Sequence, residues 1–137
     1  MCSAAVKSAG RSTRVLVVDD DAGIRNFLRM LLELEGYEVA TAGNGIDALE
    51  AQRQDPAAIV LTDIFMPDAE GMETIVRLRE EFPQVRIIVM SGGGAYRGAN
   101  YLKLARELGA VRALKKPFPP QELIDAMREV ASMTPAA

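Results

Sequence analysis

The chain has 137 residues, 49% of them hydrophobic and 26% charged, with a formal net charge of −3. That length suits one domain with one sizeable core, and the balance is that of a soluble globular protein. Lys and Arg are spread along the chain, which argues against a direct nucleic-acid surface, and nothing in the composition points to a membrane. The single cysteine, Cys2, falls in residues 1–13, which read as a disordered N-terminal extension. A lone thiol builds neither a disulfide framework nor a metal site, so an intracellular, cytoplasmic protein is expected. No apolar run reaches the length of a signal-peptide core or a membrane span. There is no histidine, which removes His-based acid–base and metal chemistry.

From residue 14 to about residue 133 the chain alternates between strand and helix patterns. Residues 14–18 are a continuous β-branched apolar run, the mark of a strand covered on both faces. Ile24, Phe27, Leu28, Leu31 and Leu32 then recur at helical spacing, and Gly36 is placed to end that helix. Residues 37–42 form a weaker second strand. Asn44 can cap a helix carrying Ile46 and Leu49, which ends near Asp55-Pro56. Residues 58–62 are the third strand. After the turn-rich residues 66–71, a helix with Met72, Ile75, Leu78 and Phe82 inward runs to Pro83.

Residues 85–90 make the fourth strand, followed by Ser91 and three glycines, then a helix of roughly residues 100–108 stopped by Gly109. Residues 111–115 are the fifth strand. The last helix follows Pro119-Pro120 and buries Leu123, Ile124, Met127 and Val130, leaving residues 134–137 frayed. Five strands alternating with five helices through short loops imply an α/β fold with a parallel sheet and helices on both faces. In such doubly wound sheets ligands sit beyond the carboxyl ends of the strands.

Chemistry-bearing residues stand at those ends: Asp19, Asp20 and Asp21 after the first strand, Asp63 after the third, Ser91 after the fourth, Lys115 and Lys116 after the fifth. Any one alone has an ordinary explanation. An Asp after a strand caps a helix, as Asp20 or Asp21 can here; a Ser before glycines turns the chain; a Lys is solvated. Their joint occurrence on one side of one sheet gathers carboxylates, a hydroxyl and an amine in a shallow pocket. Neighbouring carboxylates repel by roughly 4 kcal/mol per pair at an effective dielectric of about 20. They therefore call for protons, a cation or a lysine. Oxygen ligands with room for water suit Mg²⁺.

These residues resemble the response-regulator receiver family. Its carriers are Val17-Val18-Asp19-Asp20-Asp21, Leu61-Thr62-Asp63-Ile64-Phe65-Met66-Pro67 with Gly71, Val89-Met90-Ser91, and Leu114-Lys115-Lys116-Pro117-Phe118. The resemblance implies a flavodoxin-like strand order 2-1-3-4-5, with Asp63 as phosphoacceptor. It implies Mg²⁺ held by Asp20, Asp63 and the backbone carbonyl of Phe65, with Asp19 acting through water. It further makes Ser91 the switch hydroxyl and Lys116 the phosphate-pairing lysine, preceding a cis bond to Pro117. The phosphoryl donor would be a sensor histidine kinase or a histidine phosphotransfer protein, and output would go to a downstream protein target. An output face on the fourth helix, fifth strand and fifth helix is expected, with Arg97, Tyr101, Arg112 and Lys115 as readers.

Two departures stand out. Ala113 occupies a position where the family usually has a rotating aromatic, and residues 91–100 make a longer, glycine-rich connection than usual. Neither Tyr96 nor Tyr101 is identified as a substitute. Among rival classes, a Mg²⁺-dependent phosphohydrolase would want a general acid–base two residues after Asp63, where Phe65 stands. A flavin module would meet repulsion between its phosphate and Asp19, Asp20 and Asp21. Within the receiver reading, the protein is not an enzyme with a separate substrate. It is either a stand-alone switch, a phosphate shuttle or sink in a phosphorelay, or a fragment of a longer regulator.

Overall fold

Four short β-branched runs and the Arg112–Lys116 segment lie side by side as one parallel sheet. The structure is a computed structural model and describes residues 13–64, 70–92, 103 and 106–133. The strands are β1 (Arg14–Val18), β2 (Glu38–Ala42), β3 (Ile59–Asp63), β4 (Arg86–Gly92) and β5 (Arg112–Lys116). Their order is β2-β1-β3-β4-β5, all neighbours parallel, which is the expected flavodoxin-like arrangement. The helices with defined bounds are α1 (Ala22–Leu34), α2 (Gly45–Gln54), α3 (Glu70–Glu81) and α4 (Pro120–Ala131). Among the described residues that is four helices against an expected five. Lys103, Arg106 and Glu107 are helical where the remaining one was expected, and the rest of that segment lies outside the described residues. So do the expected disordered extension, apart from Thr13, and the frayed residues 134–137.

A central strand buried on both faces feeds two cores. Leu16, Val18, Val60, Ile87 and Val89 point to the side covered by α2 and α3, meeting Leu49, Ile75 and Leu78. Val15, Val17, Ile59, Leu61, Ile88 and Met90 point to the other, meeting Leu28 and Leu32 of α1 and Leu123, Met127 and Val130 of α4. Each large side chain so buried contributes about 1.5–3 kcal/mol of transfer free energy. Two apolar residues of the helical patterns, Phe27 and Ile46, lie outside the core, and Ile124, expected on the buried face of α4, is only half-buried. Phe27 is 48% exposed and Ile46 74% exposed. On α1 the sheet takes the stripe of Leu28 and Leu32, with Ile24 and Leu31 at its margin. Phe27 shares the helical period without facing the sheet, because the period is broader than the contact.

Local chemistry ends the elements as the residues require. Asp21 caps α1 by accepting from the Ile24 amide at 3.1 Å, and Asn44 caps α2 by accepting from the Asp47 amide at 2.8 Å. Gly36 at φ 97° and Gly109 at φ 99° occupy the left-handed region after their helices. Strand β2 starts one residue later than expected, β3, β4 and β5 are each shifted by one or two residues at both ends, and β4 runs through Ser91 to Gly92. All five strands finish on one side of the molecule, and there the polar residues assemble.

Candidate functional site

Hydrophobic strands need no polar residue until they leave the core, so the first carboxylate after β1 lands at the sheet's edge. Asp19 is 1% exposed, yet each of its polar atoms is engaged. Its amide donates to the Ala42 carbonyl at 3.2 Å, at the end of β2. Its carbonyl accepts from Arg25 Nη1 at 2.7 Å. Oδ1 accepts from the Asp21 amide at 2.9 Å, and Oδ2 from Lys116 Nζ at 2.8 Å. Asp20, one residue on, is exposed.

Asp63 closes β3 and is 7% exposed. Its Oδ2 accepts from the same Lys116 Nζ at 3.2 Å. The β3–β4 register sets Asp63 opposite Met90, and the Ile64 amide continues the ladder to the Met90 carbonyl at 2.9 Å. Ser91 therefore follows directly on the residue paired with Asp63, and it is buried. Lys116 closes β5, and its bond to Pro117 is cis. The sheet thus brings Asp19, Asp20, Asp63, Ser91 and Lys116 to one edge. Phe65 lies outside the described residues.

The electrostatics follow from this crowding. Burial alone would depress the Lys116 ammonium, but its hydrogen bonds and charge interactions with Asp19 and Asp63 outweigh that and raise its pKa above the usual lysine value. Lys116 stays charged at neutral pH and holds two of the three carboxylates together. One carboxylate oxygen from each of Asp19, Asp20 and Asp63 can be chosen so that all lie within 4.8 Å of one another. Such an all-oxygen set on one side of the pocket fits a hard divalent cation of the Mg²⁺ type. Asp21, which could have been a fourth ligand, spends Oδ1 on the α1 cap.

Arg25 is a residue that sequence reasoning missed. Its position carried a signal: helical side chains lean toward the N-terminus, so a long side chain one turn into α1 reaches back over the acidic turn. Of the expected output residues, Arg112 and Lys115 are exposed, Arg112 pairs with Glu129, and Arg97 and Tyr101 lie outside the described residues. Ala113 packs half-buried against the α2–α3 core, opposite Val89.

A 2-1-3-4-5 parallel sheet with three carboxylates and a lysine at its carboxyl edge defines a receiver-type module. The response regulator receiver domain family matches residues 15–128, and the chain belongs to that family. Sporulation initiation phosphotransferase F of Bacillus subtilis is 33% identical over 116 residues, covering 85% of this chain and 91% of that protein. The DNA-binding transcriptional regulator NtrC of Azospirillum brasilense is 37% identical over 124 residues, covering 90% of this chain but 25% of the relative. The chain therefore spans nearly all of one relative and a quarter of another. Among solved structures, chemotaxis protein CheY4 of Vibrio cholerae superposes with a TM-score of 0.80 at 27% identity, covering 88% of this chain and 99% of that one. A receiver domain protein from Clostridium thermocellum gives 0.78 at 29% identity, covering 86% and 93%.

Proposed function

We propose that this receiver is a phosphorylation switch whose acceptor is Asp63, charged from a phosphohistidine on a sensor kinase or phosphotransfer protein. The observation that carries this reading is the placement of Asp63: a carboxylate oxygen within 4.8 Å of those of Asp19 and Asp20, and Lys116 Nζ at 3.2 Å. These 137 residues contain no histidine, so the donor imidazole lies outside them. In the transfer, the donor's P–N bond breaks, an Asp63 carboxylate oxygen forms the new P–O bond, and the departing imidazole nitrogen takes up a proton. A carboxylate is a poor nucleophile toward an anion, so catalysis must come from charge compensation and alignment. Lys116 supplies one positive charge, already held by a buried partner on either side. Mg²⁺ bound by Asp20 and Asp63, with Asp19 through water and the Phe65 carbonyl, would compensate the charge building on the phosphoryl oxygens. Ser91, buried one residue past the Asp63 register, is the hydroxyl that would meet the acyl phosphate.

The protein is then a switch that turns over no separate substrate, working in the cytoplasm through protein partners. No helix among the described residues is long and apolar enough to cross a membrane. Incubation with acetyl phosphate and Mg²⁺ should add one phosphoryl group by mass, and Asp63→Asn or EDTA should abolish the addition. Undiminished labelling of Asp63→Asn would overturn the assignment.

A second reading, as an intermediate carrier that hands its phosphate to a further histidine, is favoured by the match to nearly the whole of a phosphotransferase. Loss of label from phosphorylated protein to an added histidine phosphotransfer domain would distinguish a carrier from an output switch.

A further inference from the structure

Asp20 is the one carboxylate of the candidate triad that is exposed. An exposed side chain is aimed chiefly by the backbone that carries it, and two peptide planes flank the Asp20 Cα. One, between Asp20 and Asp21, is held by the Asp21 amide donating to Asp19 Oδ1 at 2.9 Å. The other, between Asp19 and Asp20, presents the Asp19 carbonyl, and Arg25 Nη1 donates to it at 2.7 Å. The Arg25 amide also donates to the Asp21 carbonyl at 3.0 Å. Arg25 therefore grips both ends of the acidic turn, by side chain at Asp19 and by main chain at Asp21.

Room for the guanidinium comes from a different loop. A Cβ on Gly43 would stand 3.1 Å from Arg25 Nη1 and 3.6 Å from Cζ. Gly43 follows Ala42, whose carbonyl takes the Asp19 amide. The end of β2 thus braces Asp19 while its next residue leaves space for the arginine that fixes the peptide beyond.

Resting on the cation-site reading above, we propose that Arg25 is a positioning residue for the divalent cation: by holding the Asp19 carbonyl it fixes the direction of the Asp20 carboxylate, with Gly43 providing the space. The role opposes simple electrostatics. A guanidinium beside the site repels a cation, so deleting its charge should tighten Mg²⁺ binding if charge were its only effect. Loss of positioning should weaken it instead, by about tenfold, the lower end of what outer residues typically contribute to metal affinity. The sign of the change separates the two.

Mg²⁺ titrations followed by backbone amide shifts, on the wild-type chain, Arg25→Ala, Arg25→Lys and Gly43→Ala, test this. We expect weaker binding in Arg25→Ala, partial recovery in Arg25→Lys, and an intermediate loss in Gly43→Ala, which crowds the guanidinium without substituting any residue of α1. In the metal-free proteins, the Asp21 amide should exchange faster in Arg25→Ala than in the wild type. Should Arg25→Ala fail to fold, Gly43→Ala carries the same comparison. Unchanged or tighter Mg²⁺ affinity in the variants, beside normal wild-type binding, would overturn the positioning role alone. Absence of Mg²⁺ binding by the wild type would overturn the cation site, and the positioning role with it.

Discussion

The proposed function gives Lys116 two jobs that pull in different directions. In the resting protein its ammonium lies 2.8 Å from Asp19 and 3.2 Å from Asp63, offsetting charges that burial would otherwise make costly. In the transfer proposed above, the same group would turn to the incoming phosphoryl oxygens. Replacing it by Met keeps the apolar stem and removes the charge, leaving two largely buried carboxylates without their shared cation. Breaking a buried ion pair costs about 3–5 kcal/mol, and Lys116's partial exposure brings the expected loss here to about 2 kcal/mol. Urea unfolding of metal-free Lys116→Met should show that loss, and added Mg²⁺ should recover part of it. An unchanged midpoint would mean that water already compensates these carboxylates.

At the level of elements, the connections matter as much as the helices and strands. Between α2 and β3 the chain must turn within four residues, and Gln52 makes that turn possible. Its side-chain amide donates to the Ala57 carbonyl at 2.8 Å and accepts from the Ala57 amide at 2.9 Å, at a position that is 1% exposed. It acts as a substitute strand for one residue. Gln52→Ala should lose about 2 kcal/mol, because both backbone groups of a buried residue lose their partner. A calorimetric or urea measurement showing under a few tenths would mean that water replaces the amide.

That residue also marks the limit of what was legible in the sequence. The strands were readable because continuous apolar runs have few alternative structures, and the site because chemistry-bearing residues fell at strand ends in the right order. Asp21 stood between cap and ligand, and only the 3.1 Å bond to Ile24 settled its Oδ1 as a cap. Gln52 and Arg25 were missed for a different reason. Each acts on backbone groups five or six residues away, across the end of its own helix, and a polar residue on a helix looks the same whether it meets solvent or such a carbonyl. Phe27 and Ile46 misled in the opposite sense, since hydrophobic periodicity records the helix without recording the width of its contact.

For the molecule as a whole, Lys116 and Tyr37 hold their protons more tightly when folded. Lys116 does so because Asp19 and Asp63 outweigh the opposing effect of burial. Tyr37 does so because burial raises its phenol, opposed by Arg128 and assisted by Glu35. In the unfolded chain these groups titrate near their ordinary values, about 10.4 and about 10. Above those values the unfolded state binds fewer protons than the native state, so stability falls with rising pH. Both contributions are fully present below about pH 10 and are lost as pH climbs through the raised native values. Urea midpoints between pH 8 and about pH 11 should decline, and Lys116→Met and Tyr37→Phe should each flatten the decline. A flat profile in the wild type would remove this linkage.

The two-sided core has a further consequence, in how the protein can change over generations. Ile87 and Ile88 are adjacent in the chain yet belong to separate clusters, one under α2 and α3, the other under α1 and α4. The sheet is a bulkhead between two compartments with few shared partners. Truncations placed far apart across it, Ile75→Val in one compartment and Leu123→Ala in the other, should destabilise additively to within about 0.5 kcal/mol. Coupling well beyond that would show the bulkhead to be leaky. Where additivity holds, either compartment can drift through repacked sequences while the other stands still, and only the carboxyl edge, shared by both, constrains the two together.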